Sequence, residues 1–146
     1  MTPRHILLCH LGSGDNEQLL RRAAELCARS GADLTLVLPV VDGAMPDGCC
    51  GIDGEHWRRL TDEDTRDAAH RAVRLLDALG CPARNIAIEA GPSLPEIAAR
   101  AAERYDCDVI AIARKRAPWS SGGLSGRQLD KLRRGQSRSV LELTRT

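Results

Sequence analysis

Short aliphatic runs alternate along this chain with longer amphipathic stretches, and no other feature of the sequence restricts the fold as strongly. The runs at 4–10, Asp33–Val41 and 108–113 are rich in Ile, Leu, Val and Ala, whereas apolar and other residues alternate at 85–90. Near-continuous apolar runs of this length are typical of strands that are buried on both faces of a sheet. Residues 139–144 have the composition of one further strand.

Between these runs, apolar residues recur every three or four positions, as expected for helices with one buried face. Gly31 and Gly80 are placed to end the first two helices. The acidic run at 61–64 favours a helix start there, and the SLPE sequence at 93–96 has the spacing of a capping box. Gly126–Gly135 is typical of a short basic helix, with Leu129 and Leu132 on one face.

This order of elements predicts an α/β fold. Strands that alternate with helices form a parallel sheet, because right-handed crossovers place a helix between successive strands. We therefore predict a single domain over residues 1–146, built on an open five-stranded parallel sheet with helices on both faces, a Rossmann-like arrangement. Ligands of such sheets bind at the carboxyl ends of the strands, where the strand order reverses.

The composition narrows the function classes. The chain of 146 residues contains no Phe, and Trp57, Trp119 and Tyr105 are its only aromatic residues, so the core must be aliphatic and stacking platforms for single-stranded nucleic acid are nearly excluded. No apolar run approaches the roughly 20 residues that span a bilayer. Since no signal-peptide pattern is present either, we expect a cytoplasmic protein without a membrane partner, whose six cysteines are mostly thiols.

The formal net charge of +1 hides an uneven distribution along the chain. Residues 114–146 carry nine Lys or Arg side chains against two carboxylates, a net charge of +7, which leaves −6 for residues 1–113. Such a split indicates an anion site, an electrostatic association surface or a nucleic-acid patch, and a solvated helix face is the plain alternative. Four of the cations, at 114–116 and 127, are expected at the ligand edge of the sheet, which favours a small anion over nucleic acid.

Several segments together carry a resemblance to a known family. They are HILLCHLGS at 5–13, GADL at 31–34, EAGP at 89–92 and CDVIAIA at 107–113, with a helical stretch between the last two. In this order they resemble the universal stress protein family over nearly the whole chain. The resemblance implies the same adenine nucleotide alpha hydrolase-like fold that the strand and helix pattern predicts.

The resemblance also shows where this chain departs from nucleotide-binding members. Those members carry Gly, two residues, Gly, nine residues and then Gly with Ser or Thr after the fourth strand. In the same register, the four positions are occupied in this chain by Ala113, Arg116, Gly126 and Arg127. Only the third, Gly126, has the residue type of the family pattern. The acidic residue that the family has after the first strand falls on Leu11. The resemblance therefore implies a degenerate phosphate loop and weakened or altered ATP binding.

The candidate ligand site follows from the strand ends and this resemblance. Glycine lets backbone amides approach an anion closely, whereas Arg116 has a long side chain at that point. Guanidinium groups bind phosphate bidentately, so the cations can replace the backbone cradle. The candidate cofactor-binding residues are Leu11, Gly12, Val40, Val41, Ala113, Arg114, Lys115, Arg116, Gly126 and Arg127. No catalytic residue and no metal ligand is assigned.

Three weaker motifs have plainer interpretations. The GSG sequence at 12–14 follows a strand, but a dinucleotide fingerprint needs its third glycine at Glu17, so a turn is the better interpretation. His10, at the ligand edge, is more often structural than catalytic in such a position. Cys49, Cys50, Asp53 and His56 lie close together, yet adjacent cysteines do not match the separated spacing of zinc sites, which leaves zinc binding and redox sensing as minority interpretations.

We expect a stress-response binding or regulatory module rather than a dedicated enzyme. The sequence does not identify a ligand, and ATP, AMP and other phosphate-bearing molecules are the candidates. Slow nucleotide hydrolysis or phosphoryl transfer at the basic cluster is the alternative activity, and an interaction role without a ligand stays open. The resemblance further implies a homodimer formed through the last strand, Ser139–Leu143, because an exposed aliphatic strand edge favours pairing.

Overall fold

The computed structural model describes residues 3–10, 16–41, 54–114 and 124–143. These residues form five strands and four helices in strict alternation. In chain order the elements are β1 (His5–Cys9), α1 (Asn16–Ser30), β2 (Asp33–Val41), α2 (Gly54–Ala78), β3 (Asn85–Gly91), α3 (Leu94–Arg104), β4 (Val109–Ala113), α4 (Gly126–Gly135) and β5 (Ser139–Leu143). The predicted order of elements is confirmed.

The five strands form one parallel sheet in the order β3-β2-β1-β4-β5. The chain starts at the centre, builds to one edge through β2 and β3, and then returns to build the other edge through β4 and β5. Cys9 pairs with Val37 in β2, and Leu8 pairs with Leu36 on that side and with Ala111 on the other. The predicted open parallel sheet is therefore confirmed, with β1 as its central strand.

Helices cover both faces of the sheet, as predicted, because alternate residues of the central strands point to opposite sides. Ile6 and Leu8 belong to a core shared with α1 and α2, whereas Leu7 and Ile110 belong to a second core shared with α3 and α4. Both cores consist of Leu, Ile, Val, Ala and Cys side chains. Alanines supply much of the buried surface of the helices in both cores.

Several helix ends were predictable from local chemistry. Gly31 and Gly80 have φ of +71° and +75°, the left-handed conformation in which glycine is favoured at helix ends. Ser93 caps α3 by accepting the backbone N–H of Glu96 at 3.4 Å. The reciprocal Glu96 contact expected of a capping box is replaced, because the Glu96 carboxylate lies 3.9 Å from Lys131 Nζ on α4.

The acidic run at 61–64 does not mark the start of α2. The helix begins at Gly54, so the acidic run at 61–64 lies within it rather than at its N-terminus. Acidic residues favour a helix start electrostatically but are also common on exposed helix faces, where nothing ends the helix before them. Local charge alone did not distinguish these two positions.

The amino ends of the strands are joined by structural hydrogen bonds. The Asp108 carboxylate accepts the backbone N–H groups of Arg4 at 2.9 Å and His5 at 2.8 Å. The His5 ring contacts the Thr35 hydroxyl, which also accepts a hydrogen bond from the Asn85 amide at 3.1 Å. These polar groups therefore hold β1, β2, β3 and β4 in register at the edge opposite to the predicted ligand site.

The cysteine prediction is confirmed for the described residues. Cys9, Cys27 and Cys107 are buried thiols, and burial raises the pKa of all three. Cys49, Cys50 and Asp53, and the side chain of His56, lie outside the described residues. Within the described ranges, no three His, Cys, Asp or Glu side chains meet as metal ligands. Among these same ranges, no helix is both long and apolar enough to cross a membrane.

Candidate functional site

The strand order reverses between β1 and β4, and this point defines the candidate site. The connection after β1 leads to α1 on one face of the sheet, whereas the segment after β4 leads to α4 on the other face. In open parallel sheets, ligands bind at the carboxyl ends of the strands at such a point, here the ends of β1 and β4. The predicted site residues Ala113 and Arg114 end and follow β4, and His10, which was interpreted as structural, follows β1.

The end of β2 lies beside this point of the sheet. β1 pairs with β2 only as far as Val37, whose carbonyl accepts the His10 N–H at 2.9 Å, but β2 continues to Val41 beside β3. The backbone of Pro39 faces the same side of β2 as the backbone of Val37, which is the side of β1. The pairing with β1 ends at Val37, so the N–H that proline lacks costs no hydrogen bond to β1. Val40 and Val41 are half-buried on this extension.

The N-terminus of α4 is fixed beside the end of β4. The Leu124 N–H donates to the Ala113 carbonyl at 2.8 Å, and Leu124 is fully buried. Ser125 then caps α4 with a complete capping box: its hydroxyl accepts the Gln128 N–H at 3.2 Å, and the Gln128 side chain accepts the Ser125 N–H at 3.0 Å. These contacts leave the first-turn N–H groups of Gly126 and Arg127 without an acceptor within the helix.

The Arg114 guanidinium lies directly at this helix start. Its Nη2 atom is 3.6 Å from the position that a Cβ on Gly126 would occupy. The same Nη2 lies 3.6 Å from a Glu142 carboxylate oxygen on β5, which also pairs with Arg133 at 3.2 Å. A guanidinium, two N–H groups that have no acceptor within α4 and a glycine thus lie close together, an arrangement suited to binding an anion.

His10 lies at the same edge but is buried, with 7% of its surface exposed. Burial, and then the positive charge of Arg71, lower the pKa of His10 to about 4. The imidazole is therefore neutral near pH 7 and can act as a hydrogen-bond donor or acceptor without adding charge. This agrees with the structural interpretation of His10 at the sequence level.

The described residues bring together part of the predicted site. Arg114 and Gly126 are neighbours, Ala113 is buried at the end of β4, and Arg127 is exposed on the first turn of α4. Val40 and Val41 belong to the neighbouring end of β2. The remaining predicted site residues, Leu11, Gly12, Lys115 and Arg116, lie outside the described residues, as does Trp119.

The basic ending of the chain is partly neutralised, by one carboxylate of the acidic body and by one of its own. Lys131 pairs with Glu96, and Arg114 and Arg133 share Glu142. The Arg138 side chain donates to the Cys107 carbonyl at 2.6 Å, so it stabilises the segment before β4. Several of the nine cations therefore hold α4 and β5 in place rather than form one free cationic surface.

Sequence reasoning missed two parts of this site. The capping box of α4 has a visible signal, since Ser125 and Gln128 have the required spacing. The pairing of Glu142 with Arg114 has no such signal, because only the parallel alignment of β4 and β5 brings these residues together.

Comparisons with known proteins agree with the observed fold. A model of the universal stress protein family matches residues 2–141. No curated protein matches the chain in sequence.

Solved structures resemble the fold. A universal stress protein family member from Burkholderia pseudomallei is 21% identical, with 95% of this chain and 94% of that chain covered and a TM-score of 0.72. The universal stress protein from Archaeoglobus fulgidus, solved in complex with dAMP, is 16% identical, with 99% and 100% covered and a TM-score of 0.66. A further universal stress protein, solved in complex with cAMP, is 14% identical, with 98% of both chains covered and a TM-score of 0.67.

Proposed function

The chain belongs to the universal stress protein family, and from that premise we propose that it is a binding and regulatory module whose ligand is a nucleotide or a related phosphate-bearing anion. The ligand lies at the carboxyl ends of β1 and β4, with its phosphate at the N-terminus of α4. The observation that carries this proposal is the Arg114 guanidinium beside Gly126 at the first turn of that helix.

The mode of phosphate binding differs from a glycine-rich backbone cradle. Ala113 and Arg127 stand where the family resemblance places a glycine and a hydroxyl residue. Side-chain cations therefore take a larger share of the contact, and we propose that ATP binds more weakly than in nucleotide-binding relatives. The complexes of two relatives with cAMP and dAMP support a nucleotide as the first ligand to test. We expect no dedicated catalysis, and cytoplasmic localisation stays a prediction.

Arg127 offers a specific argument for a ligand. The first turn of α4 contains no acidic residue and carries this exposed cation. A positive charge near a helix N-terminus is destabilising, because it faces the positive end of the helix dipole. A bound phosphate removes this penalty. Arg127 is thus placed where it lowers the stability of the free protein and increases its affinity for an anion.

Thermal unfolding with ATP, AMP and inorganic triphosphate, with and without magnesium, tests this proposal. A ligand present at about 100 times its Kd adds about 2.7 kcal/mol, which for a chain of this size raises Tm by roughly 5–10 °C. We expect Arg127→Gln to raise the Tm of the free protein slightly and to reduce the ligand-induced shift. Arg134→Gln, in the last turn of the same helix, is the matched control and should leave the ligand-induced shift unchanged.

A second pair of variants tests the helix start itself. A Cβ at Gly126 would contact only Arg114 Nη2, at an ordinary distance, and one at Gly135 would contact nothing within 4 Å. Both alanine variants should therefore fold, but only Gly126→Ala places a methyl group where the phosphate approaches the backbone. Equal ligand-induced shifts in these two variants, or no shift of the wild-type protein with any anion, would show that the proposed site is wrong. Phosphate release from ATP would instead support the alternative enzymatic activity.

We also propose a homodimer that forms through β5. This strand lies at one edge of the sheet, and Leu141 is 38% exposed on it. An edge strand with free backbone groups and an exposed aliphatic side chain favours pairing with a second copy. The two β5 strands would extend the sheet across the dimer.

A further inference from the structure

A groove of about 720 Å³ lies between α2 and the other edge strand, β3. Its floor includes Ala69 and Val73 from α2 and Ile86 and Ile88 from β3. It shares no residue with the candidate ligand site. We call it the α2–β3 groove.

The groove exists because α2 packs toward the centre of the sheet. Ala68, Ala72 and Leu76 of this helix are buried in the core beneath it, whereas Ile86 and Ile88 remain 45% exposed. These two are among the three exposed large hydrophobic side chains of the described residues. β3 is also the outermost strand, and among the described residues no strand pairs with the backbone N–H and C=O groups on its outer side. Apolar side chains therefore lie beside an unpaired strand edge.

A row of basic side chains follows the groove along α2. Arg66, His70 and Arg74 are four residues apart and all line the groove. Residues with this spacing lie on one side of a helix, about 6 Å apart along its axis. None of the ion pairs between described residues involves Arg66 or Arg74. The groove thus combines an apolar floor, an unpaired strand edge and a positively charged wall.

We propose that the α2–β3 groove binds an extended segment of a partner protein that carries acidic residues four positions apart. The segment pairs with the outer edge of β3 as a sixth strand. Arg66 and Arg74 are separated by roughly 12 Å along α2. Residues i and i+4 of a strand lie on one face at roughly 13 Å, so two such carboxylates match the two guanidinium groups. The aliphatic parts of the segment cover Ile86 and Ile88.

A second copy of this chain fits the groove less well. Two β3 strands that pair about a two-fold axis perpendicular to the sheet would place both α2 helices on the same side. The two rows containing Arg66 and Arg74 would then face each other, and like charges in that arrangement repel. The charge of the groove therefore favours an acidic partner over self-association at this edge. The free strand edge favours an extended polypeptide over a small anion.

Selection from a phage library of random nine-residue peptides tests the proposal. The wild-type protein is immobilised as the target, and an Ile86→Thr/Ile88→Thr variant is used for counter-selection. Both isoleucines are exposed and threonine suits a strand, so the variant should fold. We expect enriched peptides with Asp or Glu at positions i and i+4 and apolar residues between them. A synthetic peptide of that sequence should lose at least tenfold in affinity for the variant when binding is measured by fluorescence anisotropy.

Charge reversal supplies the second arm. The double variant Arg66→Glu/Arg74→Glu should reject the acidic peptide and bind the same peptide with Lys in place of its acidic residues. Leu141→Thr on the opposite edge and Arg134→Glu on α4 are the controls, and neither should change the affinity more than twofold. The proposal is overturned if no peptide is enriched, if acidic residues are not enriched, or if the peptide binds the groove variants as well as the wild type. Binding of a simple fatty acid anion but of no peptide would also overturn it.

Discussion

Asp108 joins two neighbouring strands, β1 and β4, through its side chain. Its carboxylate accepts hydrogen bonds from the backbone N–H groups of Arg4 and His5. Burial opposes its charge, but the hydrogen bonds from these two N–H groups outweigh burial and lower its pKa below the ordinary value of 3.8. A carboxylate with a lowered pKa stabilises the fold above its unfolded-state pKa, and the contribution is lost as the pH falls through the folded-state pKa.

We therefore expect Asp108→Asn to lower the free energy of unfolding by about 1–2 kcal/mol at pH 7, because the amide cannot accept both hydrogen bonds as the carboxylate does. The difference from wild type should shrink below about pH 4, as the wild-type carboxylate gains its proton. Urea unfolding at pH 7 and pH 3 measures both values. Asp106→Asn, at an exposed neighbouring position, is the control. An equal effect of Asp108→Asn at both pH values would contradict this account.

At the scale of the element, the end of α2 depends on the backbone conformation of one residue. Gly80 has a φ of +75°, and a Cβ there would meet nothing within 4 Å, so an added side chain causes no steric clash. Any effect of a substitution must come from the left-handed backbone, which costs a residue with a Cβ roughly 1–2 kcal/mol. Local sequence identified this helix end correctly, whereas the distant helix start at Gly54 was missed.

Gly80→Ala should consequently lower the free energy of unfolding by about 1 kcal/mol. Gly80→Asn should lower it less, because asparagine tolerates the left-handed region better than alanine. Gly135→Ala is the matched control, since its surroundings are equally open and its φ is not positive. Chemical denaturation of the three variants gives the values. If Gly80→Ala and Gly135→Ala proved equally stable, the backbone explanation would fail.

At the scale of the whole molecule, the two edges of the sheet differ in their surroundings. β5 exposes Leu141 beside the Glu142 contacts with Arg114 and Arg133, whereas β3 exposes Ile86 and Ile88 beside a basic row. This difference underlies the assignment of self-association to β5 and of an acidic partner to β3. Each edge therefore provides the control for the other.

Leu141→Lys should convert the proposed dimer to a monomer, because it places two like charges at the paired β5 strands. Ile88→Lys, a change of the same kind on the other edge, should leave the dimer intact. Sedimentation equilibrium of both variants and of the wild type over a range of protein concentrations distinguishes the outcomes. A wild-type monomer, or a dimer lost only in Ile88→Lys, would contradict the assignment to β5.

The sequence by itself determined the local elements of this protein. Three kinds of feature depend only on neighbours within a few residues: the apolar periodicity, the glycines that end helices and the bounds of α4. The alternation of strands and helices, and the presence of helices on both faces of the sheet, were therefore predictable. The family resemblance also placed Ala113 and Gly126 at two positions of the phosphate-loop pattern, which stays a prediction. These features follow from the period of each element, which is present in the chain before it folds.

Only the tertiary structure decided the order of the strands and what that order brings together. Arg114 lies beside Gly126 and pairs with Glu142, although both are distant from it in the sequence. The burial of His10 likewise depends on residues from other parts of the chain. The exposure of Ile86 and Ile88 has the same origin: their alternation predicted a strand, but α2 packs over the centre of the sheet and leaves that strand's outer side open. Pairing between distant segments depends on the packing of the whole sheet. The spacing of apolar residues within one element therefore does not predict it.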